Sequence, residues 1–437
     1  MSKSTNLKIA KNLNVGRELH KSGEIAQAVV AYKKILRAHS THPDALHYLG
    51  LAYYQTGNID IAIDHIKRAI VLTSNYADAM SNLANIYKET GRLEEARTLY
   101  TQLLHITPEH TNTLVNMAII LRETNQAKNA LKLILRALEI EPEHAIAQHN
   151  LGNIYNDLQQ FELAKEAYSR ALKLNPLNHN SAKSLAHILC VLGRTDEAIA
   201  TLKALILQHP DDATAQHLLA AYDTENTPTR ASDVYIKQTF DAFSASFDMS
   251  LSRLQYKIPK LISDKLLANM DDTASAQDIL DIGCGTGLCG PLLRPVANSL
   301  IGVDLSPNML QKAEQLKVYD ELHESELCTY MQTGDKHFDY IVCADTFVYF
   351  GDLQTAFSAA FTVLKSNGYF IFSVEQHHEL SKGDYYLQLN GRYSHCATYL
   401  NTALLAAGFV ICSIEDVIPR LENGKAVDGA LVLARKR

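Results

Sequence analysis

Asp278-Ile-Leu-Asp-Ile-Gly-Cys-Gly-Thr-Gly-Leu-Cys-Gly290 is the stretch that decides how this 437-residue chain is read. Ile279 to Ile282 is a short apolar, β-branched run of buried-strand length, and the glycines behind it allow a strand to turn at once into a helix. Gly283, Gly285 and Gly287 alternate, so the turn is expected to bring backbone free of Cβ close to a ligand. A helix starting near Thr286 would add the unpaired N–H groups of its first turn.

Two glycine patterns overlap here. Gly285-x-Gly287-x-x-Gly290 satisfies the dinucleotide fingerprint, which places a pyrophosphate on a helix N-terminus. Asp281-x-Gly283-x-Gly285-x-Gly287 instead puts a carboxylate at the end of the strand and spaces its glycines more tightly. Position favours the second pattern, because a fingerprint begins where its strand ends. Gly285 comes two residues late, whereas Gly283 follows Ile282 directly. This form resembles motif I of the class I S-adenosylmethionine-dependent methyltransferases. The resemblance implies that Gly283, Cys284 and Gly285 pass under the methionine part of the cofactor, S-adenosyl-L-methionine, while Asp281 helps to hold its ammonium group.

Downstream segments continue the resemblance in order. Leu300 to Asp304 reads as the next strand, ending in an acid about 20 residues beyond the first glycines, where it would accept both ribose hydroxyls. A nicotinamide dinucleotide needs the same acid, so a nicotinamide-dependent oxidoreductase is the alternative. Leu305-Ser-Pro-Asn-Met-Leu310 opens a helix with Ser306 as N-cap and Pro307 in the first turn. Gly302 to Leu310 resembles the second methyltransferase motif, implying adenosine contacts from Leu305 and Met309. Glu326-Leu327, behind a strand near Leu322, resembles the adenine-contacting pair, and Asp339 to Asp345 the fourth strand with its motif.

Composition sets the outer bounds. A net charge of −7 and a pI near 6.2 argue against nucleic acid as a partner. The seven cysteines are scattered without a C-x-x-C pair, so no disulfide framework or metal site is expected and a cytoplasmic, reducing compartment fits. No apolar run approaches the ~18 residues of a membrane span, and the first residues lack a signal-peptide core.

Before Tyr222 the chain repeats itself. Ala28, Ala62, Ala96, Ala130, Ala164 and Ala198 are each 34 apart, as are Pro108, Pro142, Pro176 and Pro210, and the small residues Gly16, Gly50, Ala84, Ala118, Gly152 and Ala186. That period, with small residues where paired helices approach, is the signature of the tetratricopeptide repeat. Six units over residues 9–212 and a capping helix to Tyr222 are predicted, forming an α solenoid that binds a protein or peptide. Asn82, Asn116 and Asn150 keep the same step, with Asn85 and Asn153 one turn further on; Tyr48 and Ser184 interrupt the series at either end. The series resembles the asparagine ladder of the O-linked N-acetylglucosamine transferases, which implies a peptide-binding groove. Helix capping or bridging between repeats is the alternative.

Residues 223–231, polar and carrying Pro228, read as a linker. A helix follows with Phe240, Phe243 and Phe247 on one face, read either as core or as a lid over the cofactor with Phe243 near the substrate. Another helix is expected within Ser250 to Met270. Strands at Ile279, Leu300, Leu322, Tyr340, Tyr369 and Phe409 alternate with helices, so residues 232–437 are predicted to form a doubly wound, mostly parallel sheet. Two final strand-like runs, Gly408 to Val417 and Ala426 to Ala434, form a hairpin and make the last strand antiparallel, as in the methyltransferase fold.

Methyl transfer needs a general base only if the acceptor carries a proton at neutral pH. Candidates are Asp345, His378 and His395, although such histidines are commonly ordinary polar residues. Arg392, Tyr393 and His395 are the candidate substrate contacts. Cys284 and Cys289 read as packing residues. The expected function is a methyltransferase whose repeats bind its protein or peptide substrate. The alternatives are a small-molecule methyltransferase tethered or oligomerised by its repeats, and a non-catalytic scaffold.

Overall fold

A computed structural model of the chain describes residues 3–223, 227–270, 276–422 and 424–437. Residues 224–226 of the expected linker, 271–275 of the loop before the first strand, and Asn423 of the last hairpin lie outside the described residues. The chain divides into two compact units, Met1–Ser181 and Ala182–Arg437.

The first unit is a series of helical hairpins at the predicted step. Lys3–Lys21 pairs with Ile25–Ala38, Pro43–Gln55 with Ile59–Leu72, and Ala77–Glu89 with Leu93–Ile106. Thr111–Glu123 then pairs with Ala127–Ile140, and Ala145–Asp157 with Phe161–Leu174. The repeating alanines sit where two helices touch, and each is fully buried. Gly152 shows why the partner position must be small: a Cβ there would stand 2.5 Å from the ring of Tyr168. His42, His110 and His144 cap three of the first helices, each ring accepting from the backbone N–H three residues on, a role no sequence pattern announced.

The second unit begins with the end of helix His179–Val191, then Thr195–Gln208 and Ala213–Tyr222. Next come Asp233–Phe243, Phe247–Arg253 and Ile258–Leu267. The single helix expected within Ser250 to Met270 is two, because Gln255 takes a left-handed conformation with φ 54° between them. Its strands are β1 (Gln277–Ile282), β2 (Ala297–Asp304), β3 (Glu321–Glu324), β4 (Phe338–Cys343), β5 (Leu364–Gln376), β6 (Tyr385–Leu387), β7 (Tyr393–His395), β8 (Val410–Val417), β9 (Leu421–Glu422), β10 (Lys425–Ala426) and β11 (Gly429–Arg435). The main sheet runs β3-β2-β1-β4-β5-β11-β8; β7 extends alongside β5, and β6 pairs with β7. Neighbours from β3 to β5 are parallel, while β11 is antiparallel to both β5 and β8.

Helices cover both faces of this sheet. Leu280, Ile282, Ile341, Phe370 and Phe372 pack with Phe347, Phe357 and Phe409 on one side; Ile279, Leu300, Val342, Ile371 and Leu433 pack with Ile258, Ile262 and Leu266 on the other. Alternation along β1 therefore puts Asp281 on the Ile279 face, beneath the glycine turn. Among the described residues no helix is long and apolar enough to cross a membrane.

Candidate functional site

The glycine turn is bound to the neighbouring strand. The N–H groups of Gly283 and Cys284 both donate to the Val303 carbonyl, at 2.8 and 3.1 Å, and Gly285 N donates to Asp304 Oδ2 at 2.9 Å. Gly283, Gly285 and Gly287 have φ of 70°, 56° and 88°, values that favour glycine. The helix expected from Thr286 starts only at Gly290 and lasts four residues. The left-handed glycines hold residues 285–289 as turns, so no helix terminus forms at Thr286.

Beyond the C-terminal ends of the strands lies a cavity of about 370 Å³. Gly283, Gly285, Asp304, Leu305 and Met309 form one wall; Glu326, Leu327 and Asp345 continue it past β3 and β4. Asp304 closes β2 with each oxygen accepting one backbone amide, Gly285 N on Oδ2 and Ser306 N on Oδ1, both at 2.9 Å. Burial pushes its carboxyl above the ordinary range against these amides. Phe240, Phe243 and Phe247 roof the cavity, their rings edge-to-face. Two carboxylates pin the roof. Asp241 Oδ1 accepts from the Ser306 hydroxyl and Asp248 Oδ1 from the Thr286 hydroxyl, each at 2.6 Å.

The far end is ionic. Arg420, whose side chain is 6% exposed, donates to Asp345 at 2.6 Å, to Glu422 at 2.8 Å and to Glu375. Arg392 donates to Glu375 at 2.7 Å and to both oxygens of Glu422 at 2.6 and 2.8 Å. Asp345 itself has φ 52°; its N–H donates to Ser373 Oγ, whose hydroxyl donates back to Asp345 Oδ1. Burial pushes this carboxyl upward, opposed by Arg420.

Residues 280–372 match the family model of a methyltransferase domain, and residues 43–109, 89–152 and 155–222 match models of the tetratricopeptide repeat. The chain is a tetratricopeptide-repeat array followed by a methyltransferase domain. Among curated proteins it is similar to an uncharacterized methyltransferase of Schizosaccharomyces pombe, 28% identical over 141 residues that make up 28% of this chain and 50% of that protein. Similarity to methyltransferase-like protein 27 of Homo sapiens reaches 36% identity over 91 residues, 21% of this chain and 36% of that protein. The chain thus spans half or less of the length of these relatives. A solved structure of pilF from Pseudomonas aeruginosa is 17% identical at a TM-score of 0.45, covering 50% of this chain and 99% of that one.

Of the residues expected to meet the cofactor, the methyltransferase domain gathers Gly283, Gly285, Asp304, Leu305, Met309, Glu326, Leu327 and Asp345 around the cavity. Asp281 and Cys284 are not in its lining. Asp281 is fully buried with Oδ2 accepting from the Tyr319 hydroxyl at 2.8 Å and Oδ1 unpartnered, and burial pushes its carboxyl up to about 7. It shares a face with Asp304 but pairs with Gly302, two residues before the end of β2, so it stops short of the cavity that Asp304 reaches. Cys284 is buried against Gly302, and burial raises its thiol well above the ordinary value.

Phe243 and Arg392 line the cavity; Tyr393, His378 and His395 do not. Tyr393 is fully buried and donates its hydroxyl to the Pro228 carbonyl at 2.6 Å. His395 is fully buried, donates Nε2 to the Gly351 carbonyl at 3.0 Å, and is pushed down to about 4 by burial. Their strand, β7, is enclosed by β5 and β6, which is why the segment points inward. His378 is exposed away from the cavity.

In the array, the asparagines are already engaged. Asn82 Nδ2 donates to His47 of the preceding repeat at 2.9 Å; Asn116 Nδ2 donates to Asn85 Oδ1 at 3.1 Å and its Oδ1 accepts from Lys88 at 2.8 Å. Asn85 and Asn153 each accept from a tyrosine hydroxyl, Tyr100 and Tyr168, and Asn150 donates to the Ile146 carbonyl in its own helix. Asn82 and Asn116 thus bridge neighbouring repeats, whereas Asn150 and Asn153 bond within their own.

Residues that sequence reasoning passed over include Arg420 and Glu422 in the last hairpin, Glu375 in β5, and the roof anchors Asp241 and Asp248. Charged residues in a polar loop carry no pattern that separates a buried ion cluster from a solvated surface.

Proposed function

We propose that the methyltransferase domain binds S-adenosylmethionine in this cavity and delivers its methyl group to an acceptor held near Arg392 and Glu422. The observation that carries this reading is Asp304. Its carboxylate lines the cavity and uses one lone pair of each oxygen on a backbone amide, which leaves acceptor capacity for two ribose hydroxyls. Gly285 supports a close approach of the methionine part, since nothing stands within 4 Å of where its Cβ would be. Glu326 and Leu327 border the same wall on the adenine side.

When bound, the cofactor supplies an electrophilic methyl on a sulfonium leaving group. The chain aligns the acceptor with that carbon and excludes water; alignment alone can supply roughly 7–11 kcal/mol. Phe240, Phe243 and Tyr349 offer aromatic faces, and a ring over the sulfonium adds ~1–2 kcal/mol when desolvated. Among the described residues lining the cavity there is no histidine, and Asp345 is tied to Arg420. An acceptor atom that is already nucleophilic at neutral pH suits this lining best.

The pinned roof favours a small molecule, or one side chain, over an extended peptide as the group that enters. In that second reading the repeats bind a partner protein or tether the enzyme. The test is to incubate the full chain with methyl-tritiated S-adenosylmethionine and a desalted cell extract, then separate proteins from small molecules. Label above that of heat-inactivated chain supports transfer, and the fraction that carries it identifies the acceptor class. No label above that background contradicts the proposal.

A further inference from the structure

The repeat array ends inside the second compact unit, and its closing helices reach the wall of the cavity. The wall segment is a tight turn. Gly391 N donates to the Gln388 carbonyl and Gln388 N to the Arg392 carbonyl, both at 2.8 Å, while Arg392 N donates to Asn390 Oδ1 at 2.9 Å. This turn sets the side chains of Asn390 and Arg392 in the cavity lining.

His217, on the capping helix Ala213–Tyr222, donates Nε2 to the Gly391 carbonyl at 2.8 Å. Its ring also stacks on Tyr235 of the roof helix, centroids 4.1 Å apart, so one side chain touches both the turn and the roof. Gly391 has φ 82°, and a Cβ there would lie 3.3 Å from both His217 Cδ2 and the Tyr235 hydroxyl. On the helix His179–Val191, the His187 ring lies beside the backbone of Leu389 in the same turn. His217 is 5% exposed. A leucine would serve a helix interface equally well without the cost of burying a polar ring, so the donor is accounted for by the carbonyl it holds.

We propose that His217 is a positioning residue for the acceptor end of the cavity. Acting through Gly391, it fixes the turn that carries Arg392 and Asn390, which makes the last helix of the repeat array a part of the methyltransferase domain's acceptor site. The word acceptor rests on the function proposed above; the holding of the turn does not. Arg392 is the side chain that gains from it, since it bonds Glu375 and Glu422 while facing the cavity.

Two full-length variants separate this role from packing. His217→Phe keeps a ring against Tyr235 and removes the donor; His217→Gln keeps a donor. Amide hydrogen exchange over residues 388–393 should accelerate about tenfold or more in His217→Phe and return to within about threefold of the unaltered chain in His217→Gln. Calorimetric affinity for S-adenosylmethionine should stay within about twofold in both, because Asp304 lies at the other end. At saturating cofactor, label transfer into extract should fall about tenfold in His217→Phe and recover in His217→Gln. Unchanged exchange in His217→Phe, or equal loss in both variants, overturns the proposal. If no chain binds the cofactor, the methyltransferase reading fails, and the exchange comparison still decides whether His217 holds the turn.

Discussion

Arg420 Nη1 donates to Asp345 Oδ2 at 2.6 Å, joining the loop after β8 to the second residue beyond β4. The same guanidinium reaches Glu375 and Glu422, and Arg392 shares those two acids. Two cations therefore stand among three carboxylates at one end of the cavity, where removal of a partner leaves charge without compensation.

That arrangement makes Arg420 costly to remove. Arg420→Met should lower the stability of the methyltransferase domain by about 3–5 kcal/mol, the range for breaking a buried pair by deleting one partner. Urea denaturation followed by a probe in residues 232–437 measures it. A loss below about 1 kcal/mol would show that the cluster is solvated.

His395 predicts a pH effect on stability. The unfolded ring takes up a proton near 6.5, whereas the folded ring resists until about 4. Between those values the unfolded chain binds more protons, so stability falls as pH falls, by up to about 1.4 kcal/mol per pH unit. His395→Gln should flatten that slope in denaturation series from pH 4.5 to 7.5. Comparing variants removes other groups, including Asp281, whose carboxyl, raised to about 7, acts with the opposite sign. An unchanged slope would contradict the burial of His395.

The glycine turn separates binding from folding. At Gly285 a Cβ meets nothing within 4 Å but would project into the cavity, at a left-handed φ that costs about 1 kcal/mol. Gly285→Ala should fold and bind S-adenosylmethionine about tenfold or more weakly. At Gly287 a Cβ would lie 2.9 Å from Leu316 and 3.0 Å from Tyr319, so Gly287→Ala should chiefly lower thermal stability. Thermal unfolding together with cofactor titration distinguishes the pair; identical behaviour would not fit.

In the array, Asn116→Ala removes two bonds between neighbouring repeats and should destabilise the solenoid by about 1–2 kcal/mol. Thermal unfolding of the full chain, monitored through helix content, reads this. No change would return the asparagine ladder to the role of a free peptide-binding surface.

Much of this architecture was legible because its physics is periodic. Alanines at a fixed step must sit where helices touch, and Ile279 to Ile282 followed by alternating glycines must turn sharply. Asp304 was legible because it ends its strand; Asp281 shares its face but pairs with Gly302, two residues deeper, and is buried short of the cavity. The segment from Arg392 to His395 misled in part, since a three-residue strand between two neighbours buries Tyr393 and His395 while leaving Arg392 at the cavity. The contacts of Arg420, Asp241, Asp248 and His217 join residues far apart in the chain, and no local pattern encodes them.

Calorimetric titration of the full chain with S-adenosylmethionine, with nicotinamide adenine dinucleotide as the comparison, tests the central claim most directly. Saturable binding of S-adenosylmethionine, weakened about tenfold or more by Asp304→Ala, is the predicted result, in keeping with loss of hydrogen bonds to a charged group. Binding of the dinucleotide in place of S-adenosylmethionine, or unaltered affinity in Asp304→Ala, would contradict it.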